Sequence, residues 1–281
     1  MFLTKRWMDS LRDSEEEILL KKNGRRTDFY QKMSEAAFVI TNADPLLDFP
    51  RPISEKVINV GGLHVAKPKP LEPFWEEVVS RKEATIFMSF GSMSQSRLMP
   101  LEMKKAVLAT FRRFPEVTFV WKYEEEDAAL AKEAPNVVLH RWVPQNDLLA
   151  HPNLRLFVTH CGMNSVLEAT FHAVPMLCVP IFGDQFRNAL PFSYRQNASR
   201  LSRMMAARPR NQRDELVKHV RFAAEFGSLP EYRIPQVSFL QYYMLDIILP
   251  VIFVVSSCVV LSLYACLRVI LKLTSAKVKT A

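Results

Sequence analysis

Three apolar runs end in polar residues suited to binding an anion or a hydroxyl-rich molecule. Residues 85–89 are followed by Phe90-Gly91-Ser92, and residues 156–159 by His160-Cys161-Gly162-Met163-Asn164-Ser165. The run near Val179 leads into Pro180-Ile181-Phe182-Gly183-Asp184-Gln185. A helix starting after Asn164 or Ser165 would aim unpaired backbone N–H groups at one point, a natural seat for a diphosphate. Glycine is scarce, 7 in 281 residues, and Gly91 and Gly162 fall at turns where a small residue permits close backbone approach. Each signal has a purely structural reading as well. Ser165-Val166-Leu167-Glu168 spells a capping box, His160 suits a hydrogen-bonded core position, and Asp184 suits a helix cap.

The elements that must position these residues alternate between short apolar runs and longer amphipathic stretches. Strands are expected at 37–41, 57–60, 85–89, 118–121, 137–139, 156–159 and 176–179. Helical patterns lie near 71–81, 100–114 and 163–173. In the second, Leu101, Met103, Ala106, Val107, Ala109 and Phe111 fall mostly along one face, and Pro100 suits the first turn. Such alternation predicts an α/β fold, a parallel sheet covered on both faces. Ligands of these folds sit beyond the carboxyl ends of the strands.

The charge is unevenly placed. Of a net +8, residues 187–233 hold ten basic and four acidic side chains, and residues 268–281 add four basic ones and no acid; residues 1–186 carry only −1. The two basic blocks flank residues 247–267, which are 21 in number, uncharged, and include thirteen Ile, Leu, Val or Phe. These thirteen supply about −4 to −8 kcal/mol toward insertion, and the length matches a hydrocarbon core of about 30 Å. A single transmembrane helix is expected, with no nucleic-acid partner. The basic tail predicts a cytosolic C-terminus, and Asn197-Ala198-Ser199 is a glycosylation sequon consistent with a lumenal body. Lys277 and Lys279 resemble a dilysine signal for the endoplasmic reticulum membrane. Met1-Phe2-Leu3-Thr4-Lys5-Arg6 has no apolar core of a secretory leader. Either the chain is a piece of a longer precursor, or the C-terminal helix alone targets it, which would invert the topology. Cysteine spacing shows no CxxC pair, so no metal or redox motif is expected.

Taken in order, the blocks form a recognisable signature. Arg141-Trp142-Val143-Pro144-Gln145 is followed by Leu148-Leu149-Ala150-His151, then by Phe157-Val158-Thr159-His160-Cys161-Gly162-Met163-Asn164-Ser165 with Glu168. Pro175 and Phe182-Gly183-Asp184-Gln185-Phe186-Arg187-Asn188-Ala189 complete it. This resembles the donor-binding signature of the UDP-glycosyltransferases, specifically the membrane-bound UDP-glucuronosyltransferase family of animals. Upstream Asn42-Ala43-Asp44-Pro45 through Pro52, and downstream Gln241-Tyr242-Tyr243 to the basic tail, extend the likeness over most of the chain.

The resemblance implies the C-terminal Rossmann-like domain of a GT-B architecture. Residues 1–66 would then be the end of the acceptor domain and linker, 67–235 the UDP-sugar-binding domain, 236–267 the membrane-proximal segment and anchor, and 268–281 the tail. By the same resemblance Trp142 stacks on uracil and Gln145 lies near the ribose. His160, Gly162, Asn164 and Ser165 hold the diphosphate with Ser92, Glu168 accepts from ribose hydroxyls, and Asp184 and Gln185 contact the sugar. No metal or cofactor is implied; UDP-glucuronic acid or another UDP-sugar is the co-substrate. Three departures stand out. Cys161 occupies a position where many family members have glycine. No position matches the family's histidine base, and His64 in the linker is not a candidate. The join through Leu190-Pro191-Phe192-Ser193 is shorter than the family's, as if a strand and helix were deleted. The expected function is inverting sugar transfer from a UDP-sugar to a small lipophilic acceptor. The alternative is an inactive member that keeps nucleotide binding and modulates full-length partners, and homo- or hetero-oligomers with relatives are compatible with either.

Overall fold

The computed structural model describes residues 2–25, 28–125, 132–189, 195–232 and 237–278. The chain divides into two compact units, Met1–Tyr232 and Arg233–Ala281. The expected join at 190–193, the domain boundary at 235 and Lys279 lie outside the described residues, as does the side chain of Asn197.

The first unit is built on a five-stranded, all-parallel sheet. Its strands are β3 (Ala84–Ser89), β4 (Val117–Lys122), β5 (Val137–His140), β6 (Leu154–Thr159) and β7 (Met176–Cys178), in the spatial order β5-β4-β3-β6-β7. Side chains alternate along each strand, which sends Phe87, Val120 and Phe157 to one face. There they pack with Trp75, Val78 and Val79 of α3 (Pro73–Ser80), Leu148 and Leu149 of α5 (Gln145–Leu149), and Val166 and Leu167 of α6 (Met163–Phe171). Met88, Phe119 and Trp121 go to the other face, against Leu108 and Phe111 of α4 (Leu101–Arg112). Phe87 stacks on Phe157 at 4.9 Å and Phe111 on Phe119 at 4.0 Å between ring centroids. Each such buried side chain contributes about 1.5–3 kcal/mol. The expected α/β class and its strands are all present, with ends moved by one or two residues.

The chain runs β3, β4, β5 to one side, then returns so that β6 lies beside β3. That reversal opens a crevice at the carboxyl ends of β3 and β6. β7 is paired on one side only among the described residues. Its last residue, Cys178, is joined by a disulfide to Cys161 in the turn after β6. The earlier expectation from cysteine spacing missed this bond, because residues 17 apart in sequence meet only once β6 and β7 are neighbours.

Upstream, α1 (Phe2–Asn23) and α2 (Phe29–Glu35) precede a separate parallel pair, β1 (Val39–Thr41) and β2 (Val57–Asn59). The loop after β1 carries Asp44, which is fully buried and forms an ion pair with Arg208. α7 (Gln185–Asn188), α8 (Arg195–Ala206) and α9 (Gln212–Phe226) complete the unit. In the second unit α10 (Phe239–Tyr242) is followed by α11 (Leu245–Val278). Leu245–Arg268 within α11 is long and apolar enough to cross a membrane, and none of it is buried.

Candidate functional site

A cavity of about 680 Å³ opens at the crevice between β3 and β6. Ser92, Trp142, Gln145, His160, Gly162, Asn164, Ser165, Glu168, Asp184 and Gln185 all line it. A larger cavity, about 920 Å³, lies beside β1, β2, α8 and α9 and holds none of these ten residues. We place the site at the smaller cavity, where strand ends, a helix N-terminus and polar side chains converge.

His160 lines this cavity, packed between two glycines. A Cβ on Gly91 would lie 2.8 Å from the imidazole Cε1, and a Cβ on Gly162 would lie 2.6 Å from Nε2. The two glycines vacate the space that the ring fills. Gly91 also has φ +83°, whereas Gly162 is in ordinary extended backbone at φ −63°. Ser92 follows on the exposed rim of the same loop.

α6 begins at Met163, where the helical pattern starts, with Gly162 as its N-cap in place of Asn164 or Ser165. Gly162 brings no capping side chain, so the N–H groups of the first turn have no side-chain acceptor from the cap. The expected capping box is therefore not formed: Ser165 lies inside the helix, where its hydroxyl accepts from Gln145 Nε2 at 3.1 Å. The same Nε2 donates to Glu168 Oε2 at 2.5 Å, linking the three side chains. Asn164 Oδ1 accepts from Asn42 Nδ2 at 2.7 Å, and the His64 ring nitrogen lies 3.3 Å from the Asn164 carbonyl. The site is thus tied to the segment around β1 and β2.

Asp184 stands at the N-cap position of α7 without capping it, and its Oδ2 accepts from Asn188 Nδ2 at 2.8 Å. The Gln185 side-chain oxygen accepts from the N–H groups of Ile181 and Phe182 at 2.8 and 3.0 Å. Gln185 thereby shapes its own loop and keeps only its amide nitrogen for other partners. Trp142, after β5, is 69% exposed and presents a flat apolar face. Lys122, at the end of β4, lies 5.9 Å from that ring's centroid and donates to the Gly91 carbonyl at 2.8 Å. His64, set aside as a base on sequence, and Lys122, not singled out from the sequence, both line the cavity. The strand-end rule applied to β4 would have found Lys122.

Residues 1–192 match the family model for "UDP-glucoronosyl and UDP-glucosyl transferase". The chain belongs to this family. Among its relatives, UDP-glucuronosyltransferase 2C1 of Oryctolagus cuniculus is 29% identical over 286 residues, covering 90% of this chain and 56% of that protein. UDP-glucuronosyltransferase 1A3 of Homo sapiens is 30% identical over 250 residues, covering 77% and 46%. The chain spans about half the length of these relatives. The fold is similar to a UDP-glucosyltransferase from Polygonum tinctorium, with TM-score 0.54 and 21% identity over 69% of this chain and 55% of that one.

In this family member the two glycines about His160 give a separable pair of predictions. Gly162→Ala meets no left-handed strain, so it should cost less stability than Gly91→Ala, the loss coming from the displaced ring and a poorer N-cap residue. It should nonetheless displace the imidazole and, if the cavity takes UDP as proposed below, weaken UDP roughly 10- to 150-fold, the loss of one hydrogen bond to a charged group. Gly91→Ala should add a stability loss of about 1–2 kcal/mol, because a side chain is forced into the left-handed region. Thermal melting with and without UDP checks both.

Proposed function

We propose that the cavity holds the nucleotide and sugar of a UDP-sugar, and that the chain is the donor-binding part of an inverting glycosyltransferase. One observation carries the reading: a histidine seated between two glycines, at a helix N-terminus without a side-chain cap, lines the same cavity as an exposed tryptophan. An aromatic face suits a flat base, and a helix N-terminus suits a diphosphate. The Glu168 carboxylate, already polarised toward Gln145, suits ribose hydroxyl donors. In the reaction a base takes the acceptor's hydroxyl proton, the oxygen attacks the anomeric carbon, and the bond to UDP breaks with inversion. The α6 dipole and His160 stabilise the charge on departing UDP. We assign no base within this chain. His64 hydrogen-bonds the Asn164 carbonyl, on the donor side of the cavity. That absence of an assigned base also favours a second reading, in which the chain binds nucleotide without turning it over.

We further infer a single-pass membrane protein of the endoplasmic reticulum with a lumenal body and cytosolic tail. The Cys161–Cys178 disulfide supports it, since such bonds persist in oxidising compartments. A glycosidase-sensitive shift abolished by Asn197→Gln is the expected result in membranes.

The decisive experiment is UDP-dependent melting of the full chain in detergent. A hundredfold excess over Kd should add about 2.7 kcal/mol of stability; no shift at millimolar UDP overturns the site. Adding UDP-glucuronic acid and a phenolic acceptor then separates the two readings by turnover.

The pH dependence has opposite signs for fold and ligand. Burial holds His160 below its ordinary value of 6.5, with the Asp184 charge pulling the other way. His172 is likewise lowered by burial. The unfolded chain therefore binds protons more readily, and stability should fall as pH drops below 6.5. A diphosphate beside His160 favours the charged ring. UDP binding should take up a proton, and UDP affinity should rise over the range in which the unliganded fold weakens. Calorimetry in buffers of different ionisation heat measures the uptake.

A further inference from the structure

We infer that Cys161 and Cys178 act as a positioning pair for the diphosphate end of the donor site, so that donor affinity depends on whether their disulfide is intact. This rests on the UDP-sugar reading above. Cys161 lies between His160 and Gly162, both of which line the cavity. It has φ +60°, a left-handed conformation that disfavours any residue with a side chain. What holds it there is partly the backbone: its N–H donates to Thr159 Oγ1 at 3.4 Å, and its carbonyl accepts from Asn188 Nδ2 at 3.1 Å. That same Asn188 nitrogen donates to Asp184, which also lines the cavity.

The remaining restraint is covalent. The disulfide joins the turn after β6 to the end of β7, with the two Cα atoms 5.5 Å apart. β7 is three residues long and paired on one side only among the described residues, so ladder hydrogen bonds hold it weakly. The turns after β6 and β7, with the first residues of the helices that follow them, supply His160, Gly162, Asn164, Asp184 and Gln185. The cross-link therefore ties together the two loops that face the diphosphate and sugar. Trp142, the face for the base, is reached from β5 and is not tied by it.

Cys161 is fully buried and Cys178 half-buried, so a thiolate would attack the Cys178 sulfur. With a dithiol reductant the sulfur–sulfur bond breaks and Cys161 leaves as a thiolate that takes up a proton. The second thiol of the reductant closes on the mixed disulfide and frees Cys178. Two electrons and two protons enter the protein, and the reductant becomes a cyclic disulfide.

The test compares UDP with uridine, binding to the full chain in detergent by tryptophan fluorescence, before and after dithiothreitol. Reduction should weaken UDP about tenfold, the left-handed penalty expressed as affinity, and should leave uridine within about twofold. Cys178→Ala, which keeps Cys161 in the turn without its tether, should behave like the reduced protein. In Cys161→Gly/Cys178→Ala, glycine accepts the left-handed turn at no cost. That variant should recover UDP affinity and ignore dithiothreitol, a rescue that a merely structural bond would not give. UDP affinity unchanged by reduction, or UDP and uridine weakened equally, overturns the inference while leaving the nucleotide site standing. Failure of the oxidised parent to bind either ligand would instead overturn the nucleotide reading beneath it.

Discussion

Arg208→Met is expected to cost about 3–5 kcal/mol of stability, because it strands the carboxylate of Asp44 in the interior. Asp44 is fully buried, and Arg208 is the charge paired with it, 164 residues away in sequence. A loss of that size is a large part of the about 5–15 kcal/mol that holds a domain together. The pair joins the loop after β1 to the segment after α8, and so ties the N-terminal part of the unit to its last helices. Asp44→Asn/Arg208→Met should recover most of the loss. It removes both charges, and the side-chain oxygen of residue 44 can still accept the Leu46 N–H, now at 2.9 Å. Urea unfolding of the full chain in detergent, followed by tryptophan fluorescence, measures both. A single variant as stable as the parent would show that the pair contributes nothing.

Trp142→Ala should do the reverse, harming the ligand and sparing the fold. The ring is largely exposed, so its removal should change stability by no more than about 0.5 kcal/mol. Stacking on one base is worth about 1–3 kcal/mol, so UDP should bind roughly 5- to 150-fold more weakly. Trp142→Phe should restore part of the affinity. Glu168→Ala should cost about 1.5–3 kcal/mol of binding, and it also leaves Gln145 Nε2 without its closest acceptor. Titration with UDP reads all three. Equal affinity in Trp142→Ala and the parent would remove the base from this face of the cavity.

Much of the framework was legible because it rests on local pattern. Residues 85–89 and 156–159 read as strands of a parallel sheet from the alternation of short apolar runs with amphipathic stretches. The rule that ligands lie beyond strand ends then led to the three loops that do meet. What escaped depended on neighbours in space. The Cys161–Cys178 bond requires β6 and β7 to pair. Lys122 reaches the Gly91 carbonyl only because β4 lies beside β3. The capping box failed for a subtler reason. Ser165-Val166-Leu167-Glu168 has the right spacing, but α6 starts at Met163 and puts Ser165 inside its first turn. Ser238 with Gln241 shows the same spacing and forms the box, because α10 starts one residue after Ser238. Spacing names a cap only when the helix begins where the pattern assumes. Nor does the sequence show that two backbone N–H groups of its own loop hold the Gln185 oxygen, leaving the amide nitrogen for the sugar contact that the resemblance implies.

The packing of Gly91 and Gly162 against one imidazole makes positions 160 and 162, and position 91 some seventy residues earlier, a single unit of variation. Among descendants of this sequence, alanine at 91 or 162 is tolerable only after residue 160 has shrunk, and a smaller residue at 160 releases both glycines together. The three should covary, and histidine at 160 is the change that must come last when the trio is rebuilt.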